Sequence, residues 1–86
     1  MIAEAEVKIL MFGSLGEQIG REIFEELSAD GCTIGELRQR LVAKDPSRQG
    51  LLDPAIRASV DQILVKEDFV VRPGHELAFF PMLSGG

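Results

Sequence analysis

The chain has 86 residues, 45% of them hydrophobic and 27% charged, with a formal net charge of −5 and an isoelectric point near 4.7. This length suits one domain and is too short for two, and a domain this small buries only ~60% of the surface of its unfolded chain, so a deep catalytic cleft is not expected and any chemistry should be shared with a partner. The acidic balance argues against nucleic acid and against an anionic membrane surface, both of which need clustered Lys and Arg.

Cys32 is the only cysteine, which excludes an intrachain disulfide and fits a reducing compartment. The acidic start, Met1 to Glu6, lacks the basic and apolar regions of a signal peptide, and no apolar run approaches membrane-spanning length. The expected location is the cytoplasm.

Val7 to Phe12 is an apolar, β-prone run with Val7, Ile9 and Met11 on one face and Leu10 and Phe12 on the other. Apolar groups on both faces predict an interior strand, which Gly13-Ser14 ends. Leu15 to Ile19 predicts a short helical turn. Arg21 to Leu27 predicts a second strand, antiparallel to the first, with Ile23 and Leu27 inward and Phe24 outward between Glu22 and Glu26. Ala29 to Cys32 reads as a loop, and a thiol just ahead of a helix is in a place where its pKa can fall. Thr33 with Glu36 forms a capping box, and Ile34, Leu37, Leu41 and Val42 then make one apolar stripe at helical spacing. Glu36 and Arg40 are spaced for an i,i+4 pair on the exposed side. Asp45-Pro46 stops this helix, because the residue before a proline resists the α region.

Pro46 to Pro54 reads as irregular. Ile56 to Val60 and Ile63 to Val65 predict two short strands around a turn at Asp61-Gln62, and Arg72-Pro73-Gly74-His75 is a second turn. Glu76 to Phe80 is the last strand, with Leu77 and Phe79 on one face and Ala78 and Phe80 on the other, and Pro81 is expected to end its pairing. One amphipathic helix covers one face of a sheet. The predicted fold is therefore α+β, a β-grasp with a mixed four- to five-stranded sheet around one main helix, the first and last strands parallel at its centre. The domain is assigned to residues 1–80, followed by a flexible tail, 81–86.

No side-chain constellation supports catalysis. One histidine, one cysteine and no paired ligand spacing give no metal site. His75 reads as a solvated turn residue and Cys32 as an inert thiol, and the acidic residues spread over exposed faces. The end of the chain is different: Pro81-Met82-Leu83-Ser84-Gly85-Gly86. A terminal Gly-Gly arises by chance in about one chain in two hundred, so its context must carry the argument. Two glycines let the backbone lie flush in a narrow enzyme tunnel, and six extended residues reach ~20 Å. Gly86 is thus the candidate reactive group, through its carboxylate. Ser84 to Gly86 are expected to be mobile, having little to bury.

The ending from Glu76 to Gly86 resembles the small subunit of molybdopterin synthase, whose members typically end in two aromatics or an aromatic-apolar pair, a proline, two apolar residues, a small residue and Gly-Gly. The strand Val7 to Phe12, the capped helix with Glu36-Leu37-Arg38, and Val60-Asp61-Gln62 also match. Asp61 stands where that family usually has Asn, and Met82 where Pro is common. The resemblance implies a β-grasp sulfur carrier of molybdenum cofactor biosynthesis. Gly86 would be adenylated by an ATP-dependent, E1-like activating enzyme and converted to a thiocarboxylate. Pro81, Met82, Leu83, Ser84 and Gly85 would insert into the large synthase subunit, in a heterotetramer, and the sulfur would pass to the cyclic pterin precursor. Phe80 matches the outward aromatic of the family's partner interface, and Phe12 and Phe24 are assigned to it as well. No bound cofactor is expected; ATP belongs to the activating enzyme. Three other readings share the sequence: a thiamine-pathway sulfur carrier, a ubiquitin-like protein modifier, and a binding module whose Gly-Gly is incidental.

Overall fold

The computed structural model describes residues 5–82. Ser84, Gly85 and Gly86, whose mobility the sequence predicts, lie outside the described residues, as does Leu83.

Strand β1 (Glu6–Met11) alternates strictly between buried and half-buried positions, with Val7, Ile9 and Met11 inward. Helix α1 (Ser14–Ile19) follows, then strand β2 (Glu22–Glu26), antiparallel to β1 with Lys8 opposite Phe24 and Leu10 opposite Glu22. Strand β3 (Cys32–Thr33) leads into helix α2 (Ile34–Lys44). The capping box is present: Thr33 Oγ1 accepts from the Glu36 N–H at 3.1 Å, and the Thr33 N–H donates to Glu36 Oε1 at 2.9 Å. Glu36 is thereby used at the cap, and Arg40 instead donates to the Glu26 carbonyl at 3.3 Å, so the expected Glu36–Arg40 pair is replaced by two separate contacts.

Asp45 ends α2 and caps a 3-10 segment, Pro46–Leu52, by accepting from the Ser47 N–H at 3.0 Å; the sequence had suggested only irregular chain there. Strands β4 (Ile56–Val60) and β5 (Ile63–Val65) form a hairpin through Asp61 and Gln62, at φ 50° and 74°. Positive φ at both central residues suits a two-residue turn whose twist matches the strands. Strand β6 (Val70–Val71) pairs with β3 in a two-stranded sheet, so Cys32 lies in a strand rather than a loop. Neither two-residue strand is visible in the sequence, because period-2 alternation needs more residues to show.

Strand β7 (Glu76–Pro81) completes a five-stranded sheet in the order β2-β1-β7-β4-β5, parallel to β1 and antiparallel to β4. This is the expected β-grasp, with the two most apolar strands adjacent in the sheet interior. Leu77, Phe79, Ile9 and Val7 meet Ile34, Leu37 and Leu41 of α2 in one core. The strand runs one residue past its expected end. Pro81 pairs with Ile56, and the Met82 N–H donates to the Ala55 carbonyl at 2.9 Å. The reason is alternation: odd-numbered β7 residues direct their backbone groups toward β1, as the Phe12 N–H to Phe79 carbonyl bond at 3.0 Å shows, and even-numbered ones toward β4. Toward β4, Pro81 and Ile56 are a non-hydrogen-bonded pair, so the proline's missing N–H costs no bond there, and the ladder to β1 ends at Phe12.

Candidate functional site

The face of the sheet turned away from α2 carries the even-numbered residues of β1, β2 and β7. Met11 is registered with Phe79, which sets Phe12 beside Phe80 at the end of the central strand pair. Phe12 is 50% exposed and Phe80 half-buried. Leu10 and Ala78 form the next row, extended by Ser59 and by the exposed Leu64. Arg57 faces Phe80 from β4. Phe24, 54% exposed, stands elsewhere. It is opposite Lys8, which is opposite Glu76 and pairs with it at 3.9 Å. Four residue steps along the strand, about 13 Å, separate that row from the Phe12–Phe80 row. The structure therefore joins two of the three predicted interface aromatics and leaves Phe24 at the other end of the face.

The chain leaves the sheet next to the Phe12–Phe80 pair. Gly13, at φ +64°, lies against the Pro81 ring: a Cβ at that position would come to 3.0 Å from Pro81 Cγ and 3.3 Å from Cδ. Pro81 and Met82 are exposed to solvent on their outer sides.

A profile of the ThiS family matches residues 9–86 of this chain. The molybdopterin synthase sulfur carrier subunit of Escherichia coli (strain K12) is 37% identical over 81 residues, covering 93% of this chain and 99% of that protein. The chain belongs to the ThiS family. Among solved structures, SAMP1 from Haloferax volcanii has a TM-score of 0.72 at 26% identity, covering 94% of this chain and 99% of that one. A chain in the complex of subunits 1 and 2 of the molybdopterin-converting factor from Helicobacter pylori has a TM-score of 0.60 at 18% identity, with coverages of 94% and 99%, a likeness of fold.

In this ThiS-family chain the side chains that sequence reasoning set aside are structural. Cys32 is buried, and burial raises its thiol pKa, with smaller opposing and reinforcing effects from Arg40, Glu36 and Glu25. This is the opposite of the lowering expected ahead of a helix: the thiol stays protonated at neutral pH. Alkylation of native Cys32 is expected to be at least about tenfold slower than in the urea-unfolded chain, because both access and thiolate are withheld; equal rates would show an exposed, reactive thiol. His75 accepts a hydrogen bond at Nδ1 from the Arg72 N–H at 3.0 Å, closing its own turn. Asp61, the departure from the Asn usual in similar chains, accepts from the Glu76 N–H at 3.0 Å, which either residue type can do with its side-chain oxygen.

Two charged residues were missed as core members. Glu25 is 5% exposed and pairs with Lys44 at 2.7 Å. Arg38 is 7% exposed; its Nε and Nη2 donate to Glu67 at 2.8 Å each, its Nη1 and Nη2 to the Leu51 and Ile56 carbonyls, and its guanidinium lies 5.1 Å over the Phe79 ring. Its position was legible, four residues after Ile34 and three before Leu41 on the buried stripe. Among the described residues there is no cluster of three or more His, Cys, Asp or Glu able to hold a metal, and no helix long and apolar enough to cross a membrane.

Proposed function

We infer that this chain is a sulfur carrier of molybdenum cofactor biosynthesis that works through the carboxylate of Gly86. The observation that carries this reading is the run-out of a sheet-interior strand, beside an outward aromatic pair, into a Gly-Gly end, in a chain 37% identical to a molybdopterin synthase sulfur carrier subunit. In the first step the carboxylate attacks ATP on an E1-like enzyme, forming a mixed anhydride with AMP and releasing pyrophosphate. Sulfide then displaces AMP: the carbonyl–oxygen bond to phosphate breaks and a carbonyl–sulfur bond forms. The resulting thiocarboxylate is a soft nucleophile, ionised near neutral pH. In the large synthase subunit it gives its sulfur to the cyclic pterin precursor, and addition of water returns the carboxylate. The domain itself binds no cofactor in this scheme, and the work is cytoplasmic. The test is reconstitution with the large subunit and activating enzyme, reading pterin conversion and, by intact mass, the exchange of one oxygen for sulfur at the chain end. Absence of both in wild-type protein would overturn the reading.

The exposed face supplies the docking surface. Phe80→Ala is expected to weaken binding to the large subunit by about 2 kcal/mol, as for an aromatic anchor near the middle of an interface. Titration calorimetry checks this, alongside an unchanged thermal midpoint. Unfolding instead of lost binding would assign Phe80 to the core.

A second reading, a protein modifier joined to lysines through Gly86, draws support from the likeness to SAMP1, described as a small archaeal modifier protein. It predicts isopeptide-linked adducts of this chain on other proteins. A thiamine-pathway carrier would transfer sulfur from the same thiocarboxylate without needing the large subunit.

A further inference from the structure

We propose that Arg57 is the specificity-determining charge of the docking face, and that it requires a carboxylate opposite it on the large synthase subunit. The proposal rests on the sulfur-carrier reading, which names that partner. The sheet places the residue. Ile56, Ala58 and Val60 of β4 point into the core, so Arg57 and Ser59 point to the opposite face, and the register sets Arg57 beside Phe80. Its surroundings on that face are apolar or small: Phe12 lies across Phe80, and Leu10, Ala78, Ser59 and Leu64 fill the next row. Arg57 is half-buried already in the free chain. The strands of this face carry one other cation, Lys8, which pairs with Glu76 at 3.9 Å. The remaining ion pairs among the described residues join Arg38 to Glu67, Lys44 to Glu25 and Arg48 to Asp45, so Arg57 has no carboxylate partner among them.

A partner that covers Phe12 and Phe80 also covers Arg57, because neighbouring strands lie only about 4.8 Å apart. Water then leaves a guanidinium that no described group of its own chain neutralises. Burying a lone charge is costly, and the cost is repaid only where an opposite charge meets it with good geometry. The guanidinium fork matches a carboxylate through two parallel hydrogen bonds. An apolar or basic group at that point would leave the cation unpaired, so the residue that favours the right surface also rejects wrong ones. Its place on the face adds direction. The exposed Glu22 stands on β2, on the other flank of the aromatic pair, three strand spacings or about 14 Å from β4. The face is therefore positive on one flank of Phe12 and Phe80 and negative on the other, and a partner matches both flanks in one orientation only.

The experiment measures Kd and koff of the full-length chain with the large subunit, for wild type and four variants whose thermal midpoints are checked first. Arg57→Met removes the charge and keeps much of the stem. It is expected to raise Kd about tenfold, chiefly through faster dissociation. Arg57→Gln, a polar neutral replacement, is expected to do the same, which separates lost charge from lost packing. Arg57→Glu sets two acids against each other and is expected to raise Kd at least about a hundredfold. Lys8→Met makes the same change in net charge at the far row and is expected to stay within about twofold, as for an exposed pair. The gap between wild type and Arg57→Met is expected to persist at about 0.5 M salt, because a desolvated pair is screened little. Folded neutral variants that bind as tightly as wild type, a Lys8→Met effect as large as theirs, or a gap that closes in salt would each overturn the proposal. Wild-type protein that failed to bind the large subunit would overturn the sulfur-carrier reading as well, whereas wild-type binding that both neutral variants retain would overturn this proposal alone.

Discussion

Deleting Gly86 is expected to abolish adenylation and sulfur transfer while the domain folds and docks as before. The deletion withdraws the reacting carbon by up to ~3.5 Å, and a misplacement of about 1 Å already costs roughly a hundredfold when reacting groups must be in near-attack geometry. Among the described residues, the last backbone bond to the sheet is that of Met82. Appending one residue after Gly86 should be equally damaging, because the activated carboxyl would then sit on a different atom, one residue too far along. Cys32→Ser and His75→Ala are expected to keep most activity, since one side chain is buried and the other closes a turn. Intact mass and pterin conversion read both sets of variants. Full activity without Gly86, or loss of activity in a folded Cys32→Ser, would overturn the carboxylate mechanism.

The second large effect is on stability. Arg38→Ala is expected to cost at least about 3 kcal/mol, because two buried carbonyls lose their donor and each unmet partner costs roughly 1–3 kcal/mol. The Leu51 and Ile56 carbonyls belong to the 3-10 segment and β4, and Glu67 to the loop before β6, so one guanidinium ties three chain segments to α2. A typical domain has a total stability of only ~5–15 kcal/mol, and this one is small, so the variant should unfold at a much lower urea concentration. Arg38→Lys should rescue little, since an ammonium cannot reproduce a planar fork that serves a carboxylate and two carbonyls together. Glu67→Gln should be milder: that carboxylate is half exposed and its amide replacement still accepts one bond. A midpoint unchanged in Arg38→Ala would show that the guanidinium contributes no net stability.

The sequence made α2 legible because its start, its apolar stripe and its stop are each written in residues close together: Thr33 with Glu36, Ile34 to Leu41, Asp45-Pro46. The central strands were legible because both of their faces are apolar. What escaped depended on contacts distant in the chain. Arg38 is a core residue only because Glu67, Leu51 and Ile56 converge on it, and Glu25 only because Lys44 reaches over from the end of α2. Strand β6 exists because Val71 meets Cys32. Gly13 looked like a strand end, and its service to Pro81 appears only when β1 and β7 lie side by side. The same holds for the candidate site: the residues of the exit were readable, whereas the pairing of Phe12 with Phe80, and the distance of Phe24 from both, needed the register.

The parallel pairing of β1 with β7 also bears on how the protein comes into being. Lys8 lies opposite Glu76, so the middle of the sheet joins residues from almost opposite ends of the chain. Such long-range closure favours slow folding, since the loop entropy is lost before the contact is gained. During synthesis the β1–β2 and β4–β5 hairpins are both made before β7 emerges, and each then presents an unpaired inner edge of apolar strand. Those edges invite pairing with other nascent chains. The last strand to be translated covers both at once. A chain cut short before Glu76 would therefore carry two sticky ribbons rather than a partly working domain, and the sheet can close only once the chain has been read through β7.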